Sequence, residues 1–307
     1  MKKLLLKLTL FFLPVLLVGI VAEHLLRAIP NDYKVKKEQY EKHGPEFEML
    51  CLGESHAFSG INPKYMSQKG FNGSHFAQTL NYDLEILKKF EHKLTKLNYL
   101  LLPISYASFT NRLEDQWEIK NYFLYYDIKQ RHNLRYCTEI LSLPLEISLD
   151  KIKNHYIANQ SSLLTDSLGY STFYSQPNPN KNLAEEGKKM AEVQTTKNYS
   201  NWNKNKQSLT DITAFCKRKN ITLILFTPPA HHLYRIHLDT LQLHKTIELA
   251  ESFAKNNTHV HYLNLLEESS FNADDFYDAD HFSRDGAKKL SSLLNMFIAH
   301  LKKGSVD

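Results

Sequence analysis

The stretch ITLILFTPP, residues 221–229, is a near-continuous apolar run ended by two prolines. A run without polar alternation suits a strand covered on both faces, and Pro228-Pro229 cannot prolong it. Working outward, similar short runs stand at 47–52 (FEMLCL), 70–72, 99–104 (YLLLPI) and 259–265 (HVHYLNL). Longer segments with helical period separate them, among them 83–97 and an amphipathic stretch over 283–301. Apolar strands alternating with helices predict an α/β fold with a mostly parallel sheet.

The rest of the chain frames that body. Its 307 residues hold 42% apolar and 12% aromatic residues, too many for disorder, and three cysteines cannot build a disulfide scaffold. One pair plus one buried thiol, or three free thiols, both fit Cys51, Cys137 and Cys216. The net charge of +5 divides into +3 within the first thirty residues and +2 over the remaining 277. So balanced a body has no electrostatic footprint for nucleic acid.

Residues 1–29 open with Lys2 and Lys3 and then run apolar from Leu4 to Ala22, broken only by Lys7, Thr9 and Pro14. This is close to the roughly 20 residues that span a bilayer. The one candidate cleavage site, Ile20-Val21-Ala22, has a bulky residue at −3, and 23–29 (EHLLRAI) continue as an amphipathic helix. We therefore expect an uncleaved signal anchor, a polar stalk over 30–45, and a folded domain over 46–303. Lys2, Lys3 and Lys7 before the span are matched by Arg27, Lys34, Lys36 and Lys37 after it, so charge does not choose its orientation. Between about 105 and 200 the strand–helix rhythm fails. We expect a helical insertion there, with fragments at 113–126 and 150–157, forming a cleft wall or a plain embellishment.

Chemistry concentrates at strand ends. In LCLGESH (50–56), Ser55 sits on the turn after the first strand, at the sheet edge where open α/β folds bind ligands. Ser55 is there either a helix N-cap or a nucleophile. In FYDADHFSRDGA (276–287), before the last helix, Asp278 and His281 stand three apart. A serine needs a base, and the base a carboxylate that fixes its tautomer, so Ser55, His281 and Asp278 form a candidate catalytic set. Asp280 is an alternative partner for His281. His56 could be a second base, or point into the following helix. His231 and His232, after strand four, could bind substrate, but adjacent side chains diverge and no metal site is expected. The carboxylates Asp274, Asp275, Asp280 and Asp285 lack the glycine and terminal Glu of an EF-hand. The tyrosines of 122–126 and 170–174 fit either sugar stacking or packing.

The Gly-Glu-Ser-His turn after strand one and Asp-x-x-His before the final helix together resemble the SGNH/GDSL hydrolase superfamily. That resemblance runs over about 46–303 and implies a three-layer α/β/α sandwich with a flavodoxin-like sheet. It makes Ser55 the nucleophile, His281 the base and Asp278 the orienting carboxylate, with no cofactor and no metal. Two departures stand out. Glu54 replaces the common Asp, and no Gly-x-Asn-Asp block follows strand three. The oxyanion donors would then come from the Ser55 N–H, from Gly73 or Gln78 on the loop 72–78, or from Ser105. LGESHAFSGINP and DHFSRDGA are similar to membrane-tethered members that modify envelope polymers, such as the D-alanyl transfer protein of teichoic acids and alginate acetylation proteins. This implies a serine esterase or O-acyltransferase acting on cell-envelope glycan through an acyl-Ser55 intermediate, with O-acetyl as the expected group. It also implies a bacterial inner-membrane location with the domain outside the cytoplasm, a cell-surface polysaccharide substrate and a multi-span acyl-delivery partner. The alternative is a non-catalytic glycan-binding or assembly protein on a degenerate scaffold of this type.

Overall fold

The structure is a computed structural model, and it describes residues 1–111, 113, 118–129, 136–175, 178–179 and 181–304. In chain order its elements are α1 (Lys2–Ala28), α2 (Asp32–His43), β1 (Met49–Cys51), α3 (Ser55–Phe58), β2 (Gly70–Asn72), α4 (Leu80–Phe90) and β3 (Tyr99–Pro103). There follow α5 (Ile119–Tyr126), α6 (Glu139–Ser142), α7 (Leu145–Tyr156), α8 (Leu183–Gln194), α9 (Trp202–Arg218) and β4 (Thr222–Thr227). The last are α10 (His232–Arg235), α11 (Thr240–Asn256), β5 (Val260–Asn264) and α12 (Arg284–Gly304). The chain divides into two compact units, Met1–Glu38 with Glu114–Leu163, and Gln39–Leu113 with Leu164–Asp307.

The second unit holds the sheet, whose five strands run parallel in the order β2-β1-β3-β4-β5. Leu50 lies beside Phe71 and Leu100, Leu100 beside Leu223, and Leu223 beside Val260. This is the doubly wound α/β architecture expected from the strand pattern. The inner strands β1, β3 and β4 read as apolar throughout because successive side chains go to opposite faces and both faces are covered, whereas edge strand β5 (VHYLN) is only partly buried. Met49, Cys51, Leu101, Ile224 and Phe226 pack on one face against Ala57 of α3 and Ala287, Leu290, Leu294 and Ile298 of α12. Those four α12 residues recur at helical spacing and form its buried stripe. Leu50, Leu100, Leu102, Leu223 and Leu225 alternate with the first set and are equally buried. On that other side α9 packs on β4, and α4 packs on α9.

Strand order reverses between β1 and β3, so a crevice opens at the carboxyl ends of those two strands. The β1–α3 turn there requires Gly53, whose φ of +118° an L side chain rarely adopts. Buried Asn72, at the end of β2, ties α3 to the sheet. Its Nδ2 donates to the carbonyls of Ala57 (2.8 Å) and Ile61 (2.7 Å), while its Oδ1 accepts the Ser74 N–H (3.0 Å). The cysteines are all free, with Cys51 and Cys216 buried.

In the first unit, α1 is long and apolar enough to cross a membrane, with a mean hydropathy of 2.6 in its most apolar window. Beyond the apolar run, Glu23 caps α6 by accepting the N–H groups of Glu139 (3.1 Å) and Ile140 (3.0 Å). Lys120 and Glu139 form a buried ion pair at 2.6 Å, and Tyr125 donates to the same carboxylate. Tyr33 lies against Tyr122 and Tyr126, so those tyrosines are packing residues. The 30–45 segment, expected as a polar stalk, is mostly the helix α2. Its Tyr40 is fully buried and stacks on Phe90. Of the fragment expected over 113–126, residues 119–126 are helical and 114–117 lie outside the described residues.

Asn72→Ala strips two carbonyls and one N–H of their partner in a buried site. We expect a loss of about 3–5 kcal/mol in stability, read from urea denaturation. Ser292→Ala on the exposed face of α12 should change it by less than about 0.5 kcal/mol.

Candidate active site

The parallel sheet puts the ends of β1 and β5 at one edge, and two loops there carry the chemistry. On the first, Glu54 is the N-cap of α3. Its Oε2 accepts the backbone N–H of His56 at 2.8 Å and faces His56 Nδ1 at 2.6 Å. Ser55 follows it, half-buried, with its Oγ 3.2 Å from the same Glu54 oxygen. Among the described residues, nothing accepts the Ser55 N–H.

The second loop, 276–283, closes on itself through Tyr277 and His281 and through the Phe276–Phe282 bridge. Asp278 Oδ1 accepts the backbone N–H groups of Asp280 (3.1 Å) and His281 (2.7 Å), which fixes the turn. Its two oxygens both lie 3.0 Å from His281 Nδ1, and His281 Nε2 lies 2.8 Å from Ser55 Oγ. The structure thus brings Ser55, His281 and Asp278 into one chain of contacts across 226 residues of sequence. With Nδ1–H held by Asp278, neutral His281 presents the Nε2 lone pair to the serine.

Asp280 stands beside both imidazoles. One oxygen is 3.3 Å from His281 Nδ1 and the other 3.5 Å from His56 Nε2, and the two rings stack with centroids 5.2 Å apart. Gln194 of α8 donates to Asp280 Oδ2 at 2.9 Å, and the Tyr234 hydroxyl of α10 donates to Gln194. Tyr174 stacks on the outer side of His281 at 4.8 Å.

Electrostatics follow from this packing. Burial alone pushes His56 down, but the Glu54 charge, then Asp280, lifts its pKa to about 9. Burial also opposes the charge on His281, and Asp280, followed by Asp278, raises it well above the usual histidine range. Burial raises Glu54 and Asp280 in turn. His56 nonetheless holds Glu54 below its ordinary value, and His281 with His56 holds Asp280 well below. The ligand atoms of His56, Asp280 and His281 all lie within 4.8 Å, a spacing that suits a metal ion. A metal needs neutral imidazoles, whereas here the carboxylates favour the protonated rings.

The expected oxyanion donors fare differently. The Gly73 N–H donates to the Cys51 carbonyl at 2.8 Å, extending the β1 contacts, and a Cβ at Gly73 would meet the Tyr40 hydroxyl. Gly73 therefore serves packing rather than facing Ser55. The Gln78 amide donates to buried Asp83 at 2.7 Å and approaches the Gly73 carbonyl at 3.5 Å, so both its hydrogens are engaged. Asp83 also accepts the Gly53 N–H, and burial raises it to about 7. Ser105 turns inward to Ser108, which accepts its N–H at 2.8 Å. His231 caps α10, accepting the Leu233 N–H at 3.3 Å, while its backbone holds the Ala279 carbonyl. Asp275 is a turn carboxylate, in a capping box with Asn272 and paired with Lys289 at 2.5 Å.

Sequence reasoning missed Gln194 and Tyr234, which follow no motif, and it undervalued Glu54. The residue-type signal for Glu54 was present: a carboxylate two positions before a histidine at a helix start can take both the cap and the ring.

No known protein family matches the chain, and no curated protein does. Among solved structures it is similar to one from Streptococcus pneumonia provisionally named a platelet activating factor. The identity is 10% over 92% of this chain and 98% of that one, with a TM-score of 0.44.

His56, held at about 9 against an ordinary 6.5, contributes stability that is complete below pH 6.5 and lost as pH rises through 9. Glu54 and Asp280 act oppositely, losing their contribution as pH falls through their depressed values. The unfolding free energies of wild type and His56→Gln, read from urea denaturation, should therefore converge by an amount on the order of 3 kcal/mol between about pH 6 and 10.

Proposed function

We propose that this chain is a membrane-anchored serine esterase or O-acyltransferase of the SGNH type, acting on acylated cell-envelope glycan. The observation that carries the reading is the contact of Ser55 Oγ with His281 Nε2 at 2.8 Å, backed by Asp278 at 3.0 Å from Nδ1. Serine needs such a base to become nucleophilic.

In the reaction, neutral His281 takes the Ser55 proton as Oγ attacks the ester carbonyl carbon. The tetrahedral oxyanion receives the Ser55 N–H. Collapse breaks the bond to the leaving oxygen, which takes the proton from His281 Nε2 and departs as a sugar hydroxyl or other alcohol. The acyl group is now on Ser55. A water or an acceptor hydroxyl then gives its proton to His281 and attacks the acyl carbon, and as the acyl–Oγ bond breaks His281 returns the proton to Ser55 Oγ, releasing the acid or the new ester.

Glu54 adds a control. While His281 is protonated, Nε2–H donates to Ser55 Oγ and the Ser55 hydroxyl turns to Glu54 Oε2, 3.2 Å away. Loss of the His281 proton reverses that hydrogen bond. Because Asp280 and Asp278 raise His281, the acid limb of the rate profile should lie above the usual histidine range. The substrate is a cell-surface polysaccharide carrying O-acetyl groups, and a multi-span membrane protein would deliver acyl groups if transfer is the direction. The site lies outside the cytoplasm.

The engagement of Gly73 and Gln78 favours the second reading, glycan binding without turnover, and one experiment separates the two. Full-length protein in detergent should take a fluorophosphonate label on Ser55 and hydrolyse p-nitrophenyl acetate. Ser55→Ala should abolish the label, and Ser55→Ala and His281→Ala should each cut kcat/KM by at least about 10^3-fold. Asp278→Asn should cut it strongly while the protein stays folded. No label on folded wild type, or full rate in Ser55→Ala, would sink the esterase reading.

A further inference from the structure

The first unit leaves a second apolar surface uncovered. Through Val18, every residue of α1 is exposed, as in a helix meant for lipid. Coverage by the chain begins just as the apolar run ends at Ala22, and α6 and α7 supply it. Glu23 caps α6, Arg27 donates to the Cys137 carbonyl at 3.0 Å just before it, and the Tyr156 hydroxyl at the end of α7 donates to the Leu25 carbonyl at 3.0 Å. These anchors lie within the five residues Glu23–Arg27 of α1, about 6 Å along its axis. Both ends of the 137–156 segment are thus fixed at the level where α1 leaves its apolar run.

At that level the segment turns apolar side chains outward. Leu145, Leu149, Ile152 and Tyr156 recur at i, i+4, i+7 and i+11 and form one stripe along α7. Leu145 is 65% exposed and Leu149 57%, and flanking Leu141 and Ile157 are 61% and 76% exposed. Glu146, Asp150, Lys153 and Asn154 occupy the other exposed side. A water-facing surface seldom strings out so many large apolar groups. An apolar stripe with a charged opposite side, fastened to the end of a membrane-length helix, has the makings of an interfacial helix.

We propose that α6 and α7 lie on the bilayer that α1 enters, with Leu141, Leu145, Leu149 and Ile157 in the headgroup–acyl boundary. The partner is a lipid surface. A single helix leaves a domain free to swivel, whereas a second, in-plane contact fixes the first unit at the surface. This inference rests on α1 entering a bilayer and on nothing in the chemistry of Ser55.

The test is spin-label accessibility in full-length protein, reconstituted in vesicles of phosphatidylethanolamine and phosphatidylglycerol. Labels go one at a time on Leu145→Cys, Leu149→Cys, Asp150→Cys, Asn154→Cys and Leu13→Cys, in a Cys137→Ser background where Cys51 and Cys216 are buried. The expected pattern is high oxygen and low nickel-chelate collision at 145 and 149, with nickel access several-fold higher at 150 and 154. Position 13 should lie deepest. Ready nickel access at 145 and 149, with 13 deep in lipid, overturns the proposal and leaves the anchor standing. Low collision with both reagents at 145 and 149 also overturns it, because protein and not lipid then covers the stripe. Water access at 13 overturns this proposal together with the anchor. The Ser55 reading keeps its separate test in every case.

Discussion

Two buried imidazoles 5.2 Å apart can both hold a proton only if negative charge surrounds them, and here Glu54, Asp278 and Asp280 do so. Any one of these charges alone would face a desolvation cost of several kcal/mol. Together they form a compact array in which each carboxylate also has a backbone or amide partner. Glu54 accepts an α3 N–H, Asp278 accepts two loop N–H groups, and Asp280 accepts the Gln194 amide. These partners offset part of that cost, although Glu54 Oε1 is buried without one, and they join the β1–α3 turn, the 276–283 loop, α8 and α10 into one rim.

The rim depends on the sheet beneath it. Parallel strands deliver every β-to-α turn to the same edge, so a serine after β1 and a histidine before α12 meet without a dedicated motif joining them. What remains is local aim. Gly53 supplies the left-handed turn, and Asn72 pins α3 and the segment after it through the carbonyls of Ala57 and Ile61. The Asx turn of Asp278 then presents the ring, because one carboxylate oxygen holds two backbone N–H groups while both approach Nδ1.

The parts that sequence reasoning reads well are those set by burial and by short-range spacing. The run 221–227 gives the strand Thr222–Thr227 because a strand covered on both faces carries its burial in composition alone, and 259–265 gives the partly buried edge strand Val260–Asn264. Boundaries fare worse at helices. The pattern over 83–97 becomes Leu80–Phe90, since Leu80 is buried and the chain turns toward β3 after Phe90. Ser55, Asp278 and His281 are legible because they stand in short motifs at strand ends, which a parallel sheet brings to one edge, where Ser55 Oγ meets His281 Nε2 and Asp278 meets Nδ1. Gly73 and Gln78 mislead for a physical reason: a loop glycine and a loop amide look like donors until their neighbours are known. Tyr40, on a segment that reads as a polar stalk, fills the space over Gly73, and Asp83 claims Gln78. Gln194 and Tyr234 sit on helices far along the chain, and no local pattern marks a residue whose partner is a carboxylate elsewhere.

The same cluster sets stability and reactivity against each other. Protonated His281 is the state the carboxylates favour, yet only neutral His281 can accept the serine proton. The carboxylates thus bias the site toward the protonated ring, with Ser55 Oγ 3.2 Å from Glu54 Oε2. Glu54 owes that reach to its length. From the N-cap its carboxylate meets a backbone N–H, the His56 ring and the Ser55 Oγ together, and a side chain one methylene shorter would have to give up at least one of them. Where an Asp would cap the turn, Glu caps it and also charges His56, which in turn anchors Asp280 beside His281. In the proposed reaction, the glutamate is therefore the residue through which the turn carrying Ser55 would sense the protonation of His281.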